Sequence, residues 1–273
     1  MNEVATSVPA IIIPVHNAAA ALADCLQSVL LTVPPLAEVL ILDDASDDPA
    51  VQPLIREYLG KAGPGWRMDQ QTRNLGFVAT VNRGMQMTTG NVVLLNSDTV
   101  VTQGWLEGLQ RCLQSRPDIA TATPWTNNGE IVSLPRFCAS NPVPGQLDPI
   151  ASVIARTGIP GYPEIPTAVG FCMAISRTAI NVLGLFDEQL FGLGYGEEND
   201  FSVRAREAGF RNVLCDDVYV AHVGGCSFLP RGLAPGEASM QRLLSRHPGY
   251  LASVEAFIAA DPLSNRREEL LEA

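Results

Sequence analysis

Short apolar runs alternate with amphipathic stretches through the first half of the chain. The runs at 10–15 (AIIIPV), 38–44 (EVLILDD), 66–71 (WRMDQQ) and 92–96 (VVLLN) are followed by helical patterns over 18–31, 49–59, 77–89 and 104–115. Strands spaced by helices of this length predict right-handed crossovers and a parallel sheet covered on both faces, which is why the strands read as unbroken apolar runs. A fifth strand is predicted at 119–124 (IATATP), after which the rhythm stops. Residues 125–168 are rich in Pro, Gly, Asn and Ser, lack a period, and read as a long loop of the kind that usually serves function. Trp125, Asn127 and Asn128 open that loop, and ordinary loop packing accounts for each of them better than a place beside a bound acceptor does. Order returns with a strand at 168–176, a helix at 177–183, a glycine-rich stretch at 191–196, a helix at 197–208, a strand at 212–222 and a helical C-terminal segment. The fold class is α/β, with a mostly parallel central sheet flanked by helices. Residues 1–230 form one domain, and residues 231–273 are a helical extension packed on it.

An open parallel sheet binds ligands beyond the carboxyl ends of its strands. Here the first strand ends in PVHN (14–17), the second in DDASDD (43–48), the fourth in NSD (96–98) and the last in AH (221–222). Asp43 and Asp44 directly follow an apolar strand, where a carboxylate suits a ribose hydroxyl or a base N–H better than a phosphate. Asp47 and Asp48, just before Pro49, serve equally well as a helix start. Asp98 and His222, each at a strand end, make a pair suited to a divalent cation with positions left open for phosphate oxygens and water. Such an ion would cancel the repulsion between carboxylates and a diphosphate. In GYGEEND (194–200), Glu197, Glu198 and Asp200 crowd the first turn of a helix behind glycines that admit close backbone approach. Consecutive helical residues point about 100° apart, so one of the two glutamates is expected to face the crevice.

Composition narrows the field. Of 273 residues, 47% are hydrophobic and 17% charged, an ordinary globular mix, and the net charge of −11 argues against nucleic acid as a partner. The six cysteines form no CxxC pair and read as reduced thiols of a cytoplasmic protein. No apolar run is long enough for a transmembrane helix, and peripheral contact with the inner face of a membrane through the C-terminal helices is compatible with this. After the first strand, PVHNAAAA lacks the GxGxxG of a dinucleotide-binding oxidoreductase and the basic, glycine-rich loop of a nucleotidyltransferase.

Six segments in order, IIIPVHN (11–17), LDDASDD (42–48), RNLGFVATVNRG (73–84), LLNSDTVV (94–101), GYGEENDFSVRAREAGF (194–210) and AHVGGCSF (221–228), resemble family 2 glycosyltransferases of the GT-A fold. The wording of the fourth and fifth is most similar to the bacterial rhamnosyltransferase-like branch. The resemblance implies an inverting transfer from a UDP- or dTDP-linked sugar to a hydroxyl of a glycan or lipid-linked saccharide, assisted by Mn²⁺ or Mg²⁺. It places Pro14, His16, Asn17 and Asp44 at the nucleoside, Arg73, Asn74 and Gly76 along the nucleotide, and Asn96, Ser97 and Gly170 in the donor site. Asp98 stands at the last position of the family's DxD motif, with Asn96 in place of its first Asp, and would ligate the metal together with His222. Glu198 falls at the catalytic base of the family's ED motif, as Glu in place of Asp, with Glu197 in reserve. The alternative is a catalytically degenerate nucleotide-sugar or glycan-binding module of the same fold.

Overall fold

A computed structural model of the chain describes residues 8–192, 194–224 and 237–273. The expected domain boundary at 230/231, residues 225–228 of AHVGGCSF and Cys226 lie outside the described residues. The strands β1 (Ala10–Val15), β2 (Val39–Asp43), β3 (Trp66–Gln70), β4 (Val92–Leu95), β5 (Thr99–Val101), β6 (Ile119–Trp125), β7 (Cys172–Ile175) and β8 (Arg211–His222) form one sheet in the order β3-β2-β1-β4-β7-β6-β8-β5. Alternate residues of each strand serve opposite faces. Ile11, Ile13, Val39 and Ile41 pack into one core layer, and Ile12, Leu40 and Leu42 into the other. Both layers are dry, so the pleat shows no polar side in the sequence.

The crossover helices α1 (Ala19–Thr32), α2 (Val51–Lys61), α3 (Phe77–Gln86) and α4 (Trp105–Ser115) lie within a few residues of their predicted bounds. Helix α3 packs so closely on the sheet that a Cβ at Gly84 would sit 2.6 Å from the Ile12 side chain. From β5 onward the simple rhythm fails in three places. Strand β7 runs antiparallel between β4 and β6, and the three-residue β5 runs antiparallel to β8. The sheet is therefore mixed, although β1, β2, β3, β4, β6 and β8 share one direction. The stretch 125–168 is also not all loop: a 3₁₀ turn covers Glu130–Val132, and α5 spans Leu147–Arg156. Helix α5 buries only Ala151 and Ile154 and carries Pro149 in its first turn, where proline is tolerated, so its period is faint in the sequence.

The remaining helices are α6 (Arg177–Leu183), α7 (Glu188–Phe191), α8 (Glu197–Glu207), α9 (Glu237–Arg246), α10 (Tyr250–Ala260) and α11 (Ser264–Glu272). Leu243 of α9 enters one core layer beside Phe191 and Phe201, while Leu270 of α11 and Leu263 just before it enter the other. The polar anchor of this segment is Asp200, which is completely buried. Its carboxylate accepts from Arg204 at 2.7 Å, Arg246 at 3.1 Å and His247 at 2.8 Å. Asp200, counted above among three acids marking a site, is thus a structural tie between α8 and the end of α9. Burial opposes its charge, but the His247, Arg204 and Arg246 contacts together hold its pKa below the ordinary carboxylate value. A depressed pKa means stability that is present above the unfolded value and lost as pH falls through the folded one. Asp200→Ala removes the shared acceptor of the partly buried Arg204, the exposed Arg246 and the buried His247, and urea unfolding at neutral pH should show a loss of about 1–3 kcal/mol.

Candidate active site

The carboxyl ends of β1, β2, β4 and β8 lie on one edge of the sheet, and β7, running the other way, starts there. The β5–β8 register pairs Thr99 with His222, which sets Asp98 beside the histidine, and the Val223 N–H donates to the Asp98 carbonyl at 3.0 Å. His222 Nε2 lies 3.5 Å from Asp98 Oδ1. On the other side of the ring, Nδ1 lies 2.7 Å from the Asn128 carbonyl. A carbonyl only accepts, so Nδ1 carries the proton, and in the neutral ring Nε2 turns its lone pair toward the carboxylate. This is the orientation that a metal-ligating histidine takes from its outer partners.

The histidine is held from two further directions. Its backbone N–H donates to Asn127 Oδ1 at 2.9 Å, and Asn127 Nδ2 donates back to the His222 carbonyl at 2.9 Å. Phe171 stacks on the ring at 5.2 Å between centroids. Two donors of electron pairs facing each other suit a shared cation: metal bonds of about 2.1 Å separated by about 90–110° place their donor atoms about 3.0–3.4 Å apart. No group of three or more His, Cys, Asp or Glu side chains is arranged for a metal among the described residues. The Asp98–His222 pair would hold an ion from one side and leave its other ligands to come from elsewhere.

Beside the pair opens a cavity of about 660 Å³ whose wall includes Phe77, Asn96, Gly170, Glu197, Glu198 and His222. Both glutamates at the start of α8 line it. That end is made by Gly196, at φ 105°, where a Cβ would also meet the Phe191 ring at 2.8 Å. Glu198 Oε2 accepts from the Gly196 N–H at 3.3 Å, and Oε1 accepts from Asn199 Nδ2 at 3.2 Å. Burial raises the Glu198 pKa to about 7, and the nearby charge of Glu130 adds to the rise. Burial and the Glu198 charge push Glu197 well above the usual carboxylate range. Glu197 is only 5% exposed, and its Oε2 has no hydrogen-bond partner among the described residues.

The residues expected at the nucleotide form a neighbouring cluster on the same edge. Both Asp44 oxygens are already engaged, by the Leu75 N–H at 2.7 Å and the Gly76 N–H at 2.8 Å, with Gly76 at φ 91°. Asp44 therefore builds the 73–76 loop, and any contact with a nucleoside uses lone pairs left over. Asp43 does not present itself to a ligand as anticipated: it accepts from the Ser46 N–H at 3.0 Å and from Gln52, and it is fully buried. Asn17 Oδ1 accepts from the N–H groups of Asp47 at 2.9 Å and Asp48 at 3.0 Å. His16 Nδ1 lies 2.8 Å from the Asp44 carbonyl and 3.2 Å from Asn74 Nδ2. Pro14 is half-buried at the end of β1, and Arg73 is exposed on the loop. Asn96 and Ser97 follow the end of β4: the Asn96 N–H donates to the Phe171 carbonyl at 2.9 Å, and Ser97 is buried next to Asp98.

Several residues of the cavity were not anticipated as site residues: Glu130, Phe171, Tyr195 and, from the C-terminal segment, Met240, Leu243 and Tyr250. Tyr195 falls within the GYGEEND wording, but nothing in the sequence set it apart. Asn127 and Asn128 sit in WTNNGE, where an aperiodic loop gives no hint that they orient a histidine about 95 residues away.

The family described as Glycosyl transferase family 2 matches residues 10–184. No curated protein matches the chain. Among solved structures, GalNAc-T7 with UDP, GalNAc and Mn²⁺ aligns at a TM-score of 0.64 and 16% identity, covering 94% of this chain and 58% of that one. TarS 1–349 of S. aureus, in complex with UDP-GlcNAc, aligns at 0.56 and 15% identity, covering 79% and 59%. The mannosyltransferase PcManGT of Pyrobaculum calidifontis, in complex with GDP-Man and Mn²⁺, aligns at 0.56 and 14% identity, covering 92% and 75%. This chain spans less than two thirds of the first two proteins, and identities this low speak to the fold alone. None of these likenesses singles out the rhamnosyltransferase-like branch. The family match takes in well over half of the chain, including β1 to β7 and Asp98, and with the shared GT-A fold it shows that the chain belongs to glycosyltransferase family 2.

Proposed function

We propose that this chain is an inverting glycosyltransferase that moves a hexosyl or deoxyhexosyl group from a nucleoside-diphosphate sugar, UDP- or dTDP-linked, to a hydroxyl of a glycan or lipid-linked saccharide. The observation that carries the reading is His222 Nε2 facing Asp98 Oδ1 at 3.5 Å, beside a cavity lined by Glu198. The nucleotide sugars in the neighbouring structures, and the Mn²⁺ in two of them, support it.

In this reading the loops carrying His16, Asn17, Asp44, Arg73, Asn74 and Gly76 take the nucleoside diphosphate, and Asn96, Ser97 and Gly170 border the sugar. Asp98 and His222 would hold Mn²⁺ or Mg²⁺, which when bound supplies Lewis-acid stabilisation of the departing diphosphate. Glu198 accepts the proton of the acceptor hydroxyl as that oxygen forms its bond to the anomeric carbon. The bond to the phosphate oxygen breaks on the opposite face, and one displacement inverts the configuration. Glu197 lies beside the base, where burial and the Glu198 charge disfavour its ionised form. Residues 1–230 form the transferase domain and 231–273 an extension on it. No described helix is long and apolar enough to cross a membrane, and we place the chain in the cytoplasm, meeting a lipid-linked acceptor at the membrane surface.

The test is release of nucleoside diphosphate from UDP-, dTDP- and GDP-sugars with Mn²⁺, with and without saccharide acceptors. A base must be ionised to act, so the rate should rise with pH and level off above a limb near the Glu198 value of about 7. Binding of a nucleotide sugar with no turnover at any pH would identify the degenerate module instead.

A further inference from the structure

The family match ends at residue 184, yet residues 246–250 reach the two positions that directly follow Glu198. Arg246 and His247 hold Asp200, and the Tyr250 hydroxyl donates to Asn199 Oδ1 at 2.7 Å. The Thr167 hydroxyl lies 2.8 Å from the same oxygen. With its oxygen end engaged by hydroxyls, the Asn199 amide must turn its NH₂ end elsewhere, and Nδ2 lies 3.2 Å from Glu198 Oε1.

We propose that Asn199 and Tyr250 are positioning residues for Glu198: the C-terminal segment fixes the Asn199 amide, which holds the Glu198 carboxylate in place. This rests on Glu198 being the base, as read above. The titratable groups facing Glu198 are Glu197 on its own helix, Glu130 from the 3₁₀ turn, Tyr195 from the loop before α8, and Tyr250 from α10. The two glutamates disfavour a charge on Glu198. The Asn199 amide and the Gly196 N–H favour it, because each donates a hydrogen bond that the ionised carboxylate accepts more strongly. The relay from Tyr250 through Asn199 therefore sets both where the base points and the pH at which it works.

The experiment compares Asn199→Ala and Tyr250→Phe with the parent chain. The Glu198 carboxyl is followed by carbon-13 NMR on metal-free protein, its signal assigned with Glu198→Gln, and kcat and donor KM are measured against pH with Mn²⁺. In Asn199→Ala the Glu198 midpoint should rise by about one pH unit, with kcat at pH 6 down about tenfold and donor KM unchanged. Tyr250→Phe keeps the ring and should shift the midpoint in the same direction by less. Should Asn199→Ala fail to fold, Tyr250→Phe decides alone. A midpoint at the parent value in the folded variants overturns the proposal, and so does a raised donor KM with the midpoint unmoved. Moved midpoints in a chain that turns over no nucleotide sugar would uphold the relay while refuting the transferase reading.

Discussion

Glu198→Gln lowers kcat by about 10²–10⁴-fold and leaves donor binding within about twofold. The amide has nearly the same size, and its single oxygen keeps one of the two bonds that the carboxylate accepts on separate oxygens, from the Gly196 N–H or from Asn199 Nδ2. What it cannot do is take a proton from an attacking hydroxyl. The same change at Glu197 should cost turnover much less. Burial and the neighbouring Glu198 charge raise the Glu197 pKa, which disfavours the anion that a general base must present. Single-turnover transfer by both variants, with donor binding measured separately, checks the assignment. A greater loss at Glu197 than at Glu198 would exchange their roles.

Asp98→Ala and His222→Ala should each weaken Mn²⁺-dependent binding of the nucleoside diphosphate by at least about 100-fold, while metal-independent binding changes little. An ion shared by two side chains loses one of them, and an anionic diphosphate then meets a chain of net charge −11 without the cation between. Asn127→Ala should weaken it less, about tenfold, because it loosens the histidine without removing it. Calorimetric titration with and without Mn²⁺ separates the two terms. Equal affinity with and without metal in the parent chain would remove the pair from the donor site.

What the sequence revealed here follows from how far each physical signal reaches. Asp98 and His222 were legible because each ends an apolar run, and in an open sheet strand ends are where ligands meet side chains. Reading them as a pair was also within reach, but the strand that brings them together was not, since the three residues of β5 look like the tail of β4. Carboxylates at helix starts and strand ends were the least decisive signs. Asp43 and Asp200 resemble Asp98 and Glu198 in the sequence, but the structure turns the first two inward onto Gln52 and onto two arginines and a histidine. The helical period gave Glu197 and Glu198 different directions, and the cavity at the start of α8 is lined by both residues. Asn127, Asn128 and Tyr250 act across long stretches of chain, through contacts that leave no local pattern.

The most direct test is electron paramagnetic resonance of Mn²⁺ bound to the chain with a nucleoside diphosphate present. The account predicts one ion per chain with nitrogen hyperfine coupling from an imidazole, and loss of that coupling in His222→Ala. A bound ion with no nitrogen coupling in the parent chain, or one whose spectrum is the same in Asp98→Ala and His222→Ala, would contradict it.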